Sequence, residues 1–193
     1  LKGRARGHAV VIHTVGSMVA DPARGLTYHR LNVISARNVS NMCISDGVPH
    51  LILFSVVRAP WVKRQYVRAK HDAEAYLQRV GLHASIVRAP LTYVRGAPRA
   101  PFYQLMTLLG KLPPISWLGM RRVAPMPVDI LARGVARIAL NPQPRITYYY
   151  APYLYRLNTR EERRGQPFSI QDSDIPQTSL EETHVPKRPH YER

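Results

Sequence analysis

The sequence predicts an α/β fold organised on a parallel sheet. Three observations carry that expectation. Leu51–Val57 (LILFSVV) is a run rich in branched apolar side chains, interrupted only by Ser55, the pattern of a buried strand. Arg64–Val80 follows as a long amphipathic segment closed by Gly81, the pattern of a helix. A second apolar run, Ala84–Val87, comes after a short link. Strand, helix and strand joined this way make a βαβ unit, with parallel strands and a right-handed crossover.

The rest of the pattern extends the same plan. Ala9–His13 reads as a buried strand running into a loop at Gly16. Thr27–Ser45 reads as a helix with Leu31, Ile34, Val39 and Met42 on one apolar stripe and Asp46-Gly47 as its stop. After Pro90 the pattern loosens. Arg95–Pro101 is a loop of Pro, Gly and Arg, Phe102–Leu109 a short helix ended by Gly110, and Pro113-Pro114 a break. Val123–Val128 reads as a short strand, and Asp129 as the cap of a helix over Ile130–Leu140 that Asn141-Pro142 ends. The sheet domain is expected over residues 1–145. Residues 146–193 read as an extended tail whose tyrosines (Tyr148, Tyr149, Tyr150, Tyr153, Tyr155) suit docking on partner subunits.

Composition narrows the partners. Against 12 acidic residues stand 28 Lys and Arg, a formal net charge of +16. That excess fits contact with RNA, an anionic membrane surface or an acidic protein surface, and equally a basic mitochondrial matrix protein. The arginines are spread through helices and loops rather than gathered in one run, so charge alone leaves a dedicated nucleic-acid groove open without establishing one. A single cysteine, Cys43, rules out an internal disulfide framework and reads as a small buried hydrophobe. The eight histidines show no metal-binding spacing, so no metal is expected. No apolar run reaches the length of a membrane span.

The chemistry concentrates on the Arg64–Val80 helix. Tyr66 and Lys70, four residues apart, share one helical face. An ammonium held near a phenol favours the phenolate, which makes tyrosine a proton donor and acceptor near neutral pH. Arg88, directly after the second strand of the unit, either faces a nucleotide or pairs with a carboxylate such as Asp72 or Glu74.

The order VVIHTVGS, TYHRLNVISARNV, GVPHLILFSVV, QYVRAKHDAEAYL and GLHASIVRAPLTYVRG resembles the atypical, extended short-chain dehydrogenases/reductases over residues 8 to 140. It is most similar to their mitochondrial branch, which includes an accessory subunit of respiratory complex I and proteins associated with coenzyme Q synthesis. The resemblance implies a Rossmann-like, doubly wound parallel sheet that holds NAD or NADP across the carboxyl ends of its strands. It implies that Thr14, Val15 and Gly16 pass close to the nucleotide. Tyr66 then matches the proton donor, Lys70 the lysine that also holds the nicotinamide ribose, and Asn32 the helix asparagine of a proton relay. Arg88-Ala89-Pro90 stands where the family has Arg-Pro-Gly beside the nicotinamide. The implied setting is the mitochondrial matrix side, with other subunits of a large complex as partners.

Two departures qualify that picture. The glycine-rich turn and the strands of the family's first half are absent, so the sheet is expected to be incomplete at the N-terminus. Ser55 lies near the substrate-binding serine, but that serine normally falls one or two residues later, where Val56 and Val57 stand. A structural NADP(H) that does not turn over is therefore expected, with an active reductase or an RNA-associated protein as alternatives.

Overall fold

The computed structural model describes residues 3–59, 61–96, 104–105 and 121–165. Strand β1 (Val10–His13) leads through helix α1 (Ser35–Asp46) to β2 (His50–Val56), and helix α2 (Arg64–Val80) leads on to β3 (Ala84–Ala89). Two-residue strands β4 (Thr92–Tyr93) and β5 (Met126–Pro127) pair in parallel beside the main sheet. Helix α3 (Val128–Leu140), strand β6 (Thr147–Tyr150) and helices α4 (Ala151–Arg156) and α5 (Arg160–Arg164) follow. The main sheet has the order β1-β2-β3-β6, and every pair in it is parallel. The α/β expectation holds, and α2 occupies the residues its periodicity predicts.

The two faces of β2 explain its consecutive apolar residues Leu51–Phe54. Leu51 and Leu53 pack under α1 and α2, against Ala36, Cys43, Ala73 and Leu77. Ile52 faces the opposite way, onto Ile130, Val135 and Ile138 of α3 and Leu154 of α4. Each of these leucines and isoleucines contributes about 1.5–3 kcal/mol by leaving water. Among the described residues no strand pairs with the outer edge of β1, and Ile12 on that strand is 45% exposed.

Three local expectations are corrected. The first helix opens with a π-helical turn, His29–Ile34, before α1. Its buried line is Asn32, Ala36, Ser40 and Cys43, whereas Leu31, Ile34, Val39 and Met42 are only half-buried. Small side chains let this helix approach the sheet closely, and the Ser40 hydroxyl is satisfied by the Ala36 carbonyl at 2.8 Å. Asp129 does not cap α3, which begins at Val128 with Pro127 as its N-cap, two residues earlier than expected; the Asp129 carboxylate instead receives Arg95 at 3.1 Å and Arg133 at 3.4 Å. Thr147–Tyr150 is the fourth strand of the main sheet, so ordered secondary structure continues past residue 145 to Arg164. The expected helix over Phe102–Leu109 lies almost wholly outside the described residues, as does the stretch Gln166–Arg193.

Helix α5 is tied back to α3. Thr159 and Glu162 form a capping box, and the Glu162 carboxylate takes both Arg137 guanidinium nitrogens at 2.7 and 3.0 Å. Arg137, with smaller help from the Thr159 amide, pulls the Glu162 carboxyl from 4.5 down to about 2. A depressed carboxylate stabilises the fold fully above its unfolded value, and the contribution fades as pH falls toward 2. Urea unfolding between pH 4.5 and 2 is expected to show a shallower loss of stability in Glu162→Gln than in the wild type.

Candidate functional site

The carboxyl ends of β1, β2 and β3 open into a cleft of about 270 Å³. This is where a parallel α/β sheet places its ligand, because the loops diverge there and leave a crevice. Thr14 and Gly16 enter after β1, Val56 and Val57 at the end of β2, and Pro90 and Leu91 after β3. Helix α2 supplies Tyr66 and Lys70, one turn apart and both buried. The shared face that the spacing predicts is present.

Lys70 is held in place by its surroundings. It is 4% exposed, and its Nζ donates to the Phe54 carbonyl at 2.9 Å. Burial pulls its pKa down to about 8, while Glu74 one turn further along pushes it back up. The phenol behaves differently from expectation. Burial alone raises the Tyr66 pKa, and the expected lowering by Lys70 is not found. The ammonium is committed to the Phe54 carbonyl and lies beside Glu74, which accounts for the difference.

Gly16 is where backbone and site meet. Its φ is +154°, and a Cβ there would lie 2.6 Å from both Asn32 Oδ1 and Lys70 Nζ. Those two atoms therefore stand no more than about twice that distance apart. The Asn32 amide nitrogen donates to the Tyr28 carbonyl at 3.0 Å and the Ser17 carbonyl at 3.3 Å, while its oxygen is buried without a partner. His13, at the end of β1, is also buried with both ring nitrogens unpartnered. Burial, with the charge of Lys70 adding to it, drops the His13 pKa to about 4, so the ring is neutral near pH 7.

The remaining candidates divide. Thr14, Gly16, Ser55, Lys70 and Pro90 line the cleft, and Asn32 lies behind Gly16. Val15 is 55% exposed and does not line it. Ser55 faces α2, where its hydroxyl donates to the Glu74 carboxylate. Arg88 also turns to Glu74, as the carboxylate alternative of the sequence reading has it. Its Nε donates to Glu74 Oε1 at 3.0 Å and its Nη1 to the Tyr150 hydroxyl at 2.7 Å. Its guanidinium also lies 4.6 Å from the centre of the Tyr148 ring. Arg88 is absent from the cleft lining, so it does not meet the site directly.

Sequence reasoning passed over His13, and named Glu74 only as one possible partner of Arg88 and not as a neighbour of Lys70 and Ser55. Glu74 repeats the four-residue step from Tyr66 to Lys70, which places three polar groups in a line on an otherwise apolar face. His13 is the one titratable residue in the run Val10–His13. Among the described residues no cluster suited to a metal ion occurs, and no helix is long and apolar enough to cross a membrane.

No protein-family model and no curated protein matches the sequence. Solved structures do match the fold. MoeE5, in complex with UDP-glucose and NAD, is 16% identical with a TM-score of 0.51, over 78% of this chain and 61% of that one. UDP-glucuronic acid 4-epimerase from Bacillus cereus, in complex with NAD, is 15% identical with a TM-score of 0.49, over 74% of this chain and 53% of that one. A double mutant of the dTDP-glucose 4,6-dehydratase DesIV from Streptomyces venezuelae, with NAD and DAU bound, is 16% identical with a TM-score of 0.48, over 75% and 52%. The chain thus spans between half and three-fifths of the length of these proteins. Its fold is Rossmann-like, an α/β parallel sheet of the kind seen in MoeE5.

Proposed function

We propose that this chain holds a nicotinamide dinucleotide, NADP or NAD, at the carboxyl ends of β1–β3 as part of its structure. Its setting is an accessory subunit of a large mitochondrial assembly on the matrix side, respiratory complex I first. The residues present fit the nicotinamide end of such a ligand. The absence of a side chain at Gly16 lets the loop after β1 close against Lys70 Nζ and Asn32 Oδ1 at the rim of the cleft, and Lys70 keeps two N–H donors beyond its bond to Phe54. In that role Lys70 holds the ribose hydroxyls, while Thr14 and Pro90 border the ring. Bound in reduced form, a nicotinamide supplies a hydride.

The observation that carries the structural role is the Ser55 hydroxyl. It is donated to a buried glutamate, and Val56 and Val57 line the cleft where the resembled enzymes hold a substrate carbonyl. The raised Tyr66 pKa points the same way, since the phenol is not poised for proton exchange near pH 7. In the host complex, Tyr66→Phe is expected to leave both assembly and co-purifying dinucleotide at wild-type level. A redox activity abolished by that substitution would overturn the reading.

A second reading is supported by one observation, the meeting of Tyr66 and Lys70 in a single cleft with Asn32 Oδ1 behind Gly16. In it the chain is an NAD(P)-dependent reductase of the coenzyme Q-related kind, with Tyr66 as proton donor. Oxidation of NADPH by the purified full chain with a quinone-like carbonyl, lost in Tyr66→Phe, would select this reading over the first.

A further inference from the structure

A second concavity, of about 770 Å³, lies beside the cleft and is lined by Arg58, Arg64, Arg68 and His71 over an apolar floor of Ala59, Val62 and Val67. Three observations set it apart from an ordinary basic surface. Arg58, Arg64 and Arg68 are exposed and, among the described residues, form no ion pair, whereas Arg88, Arg95, Arg133 and Arg137 each hold a carboxylate. The groove also receives the start of α2, a 17-residue helix with no acidic residue in its first turn and no side chain capping it. The positive end of that helix and the arginines therefore add at one place, and among the described residues no carboxylate lines the groove. Finally, Ala59 and Val62 belong to both concavities, so the floor of the groove is also a wall of the Tyr66 cleft.

Like-charged guanidiniums that line one groove repel one another, and no carboxylate among the described residues lines it with them. An anion with several oxygens does so best, because each guanidinium forks onto two of them. The floor adds a preference of its own. A ligand with an apolar portion beside its phosphate gains by covering Ala59, Val62 and Val67. The cleft beyond offers Met18, Val57, Trp61, Leu91 and Leu131 to the same portion.

We propose that Arg58, Arg64, Arg68 and His71 bind the phosphate or pyrophosphate group of a second ligand, whose apolar remainder crosses the Ala59–Val62 wall toward Tyr66. The anion site stands without the dinucleotide reading, and only the course of the apolar remainder draws on it. A phosphorylated soluble compound and a phospholipid headgroup offer the same chemistry.

The test is calorimetric titration of the full chain with inorganic pyrophosphate, with phosphate and with hexyl phosphate. Sedimentation with phosphatidylcholine vesicles, with and without phosphatidic acid, runs beside it. Saturable pyrophosphate binding is expected, with hexyl phosphate at least about tenfold tighter than phosphate, since each buried methylene contributes about 0.8 kcal/mol. Arg64→Gln combined with Arg68→Gln is expected to weaken pyrophosphate binding about tenfold or more, as loss of two charged hydrogen-bond donors would. Arg79→Gln combined with Arg160→Gln removes equal charge from exposed positions outside the groove and is expected to change it less than about twofold. Co-sedimentation that requires phosphatidic acid would identify the lipid source, and solution binding without it the soluble one. Absence of binding, equal weakening by both double variants, or displacement of pyrophosphate by saturating NADH would overturn the proposal.

Discussion

Gly16→Ala is expected to abolish dinucleotide binding and to lower Tm by about 3–10 °C, which corresponds to about 1–3 kcal/mol in a chain of this size. The added methyl would lie 2.6 Å from Asn32 Oδ1 and from Lys70 Nζ, closer than such atoms approach. Neither neighbour yields readily. Asn32 is buried and bonded at its amide nitrogen to two carbonyls, and Lys70 is buried and bonded to Phe54. The backbone conformation at φ +154° adds strain for any side chain. Scanning calorimetry gives the stability change, and nicotinamide fluorescence gives the binding. Wild-type Tm together with wild-type binding would show that the loop after β1 is free to move away, and that Gly16 does not shape the site.

Glu74→Gln is expected to cost about 3 kcal/mol, the low end of what breaking a buried ion pair costs. Glu74 is 3% exposed, and its carboxylate accepts from two groups, the Ser55 hydroxyl and the Arg88 guanidinium, while its charge acts on Lys70. Arg88 keeps its bond to Tyr150 and some access to water, which places the effect at the lower end. The amide also removes the group that holds the Lys70 pKa up, so Lys70 titrates below about 8 in the variant. Dinucleotide binding that depends on the ammonium should then weaken at a lower pH than in the wild type. Urea unfolding reads the first effect and a pH series of NADPH titrations the second. Adding Arg88→Met is expected to recover part of the lost stability, because it removes the cation left without its partner.

Much of the fold is legible in the sequence, and the failures have local causes. Helix α2 is read correctly because seventeen residues of strong amphipathicity end in a glycine of positive φ. Strand β6 is missed because its tyrosines look like interface residues. In the structure they alternate, with Tyr149 in the core against α4 and Tyr148 and Tyr150 around Arg88. The buried stripe of α1 is misjudged because large apolar residues draw attention, while the close approach to the sheet selects Asn32, Ala36, Ser40 and Cys43. At the site, spacing alone places Tyr66 and Lys70 together. It does not disclose that Ser55 and Arg88, thirty-three residues apart, converge on one carboxylate. That depends on the register of β2 against β3, which sets Ser55 directly beside Arg88.

The most direct measurement is a fluorescence titration of NADPH and NADH into the full chain, its Lys70→Ala variant and its Tyr66→Phe variant. Saturable binding by the wild type and by Tyr66→Phe, lost in Lys70→Ala, is the predicted result. Absence of binding in the wild type, or equal binding in Lys70→Ala, would contradict the placement of a dinucleotide at the ends of β1–β3.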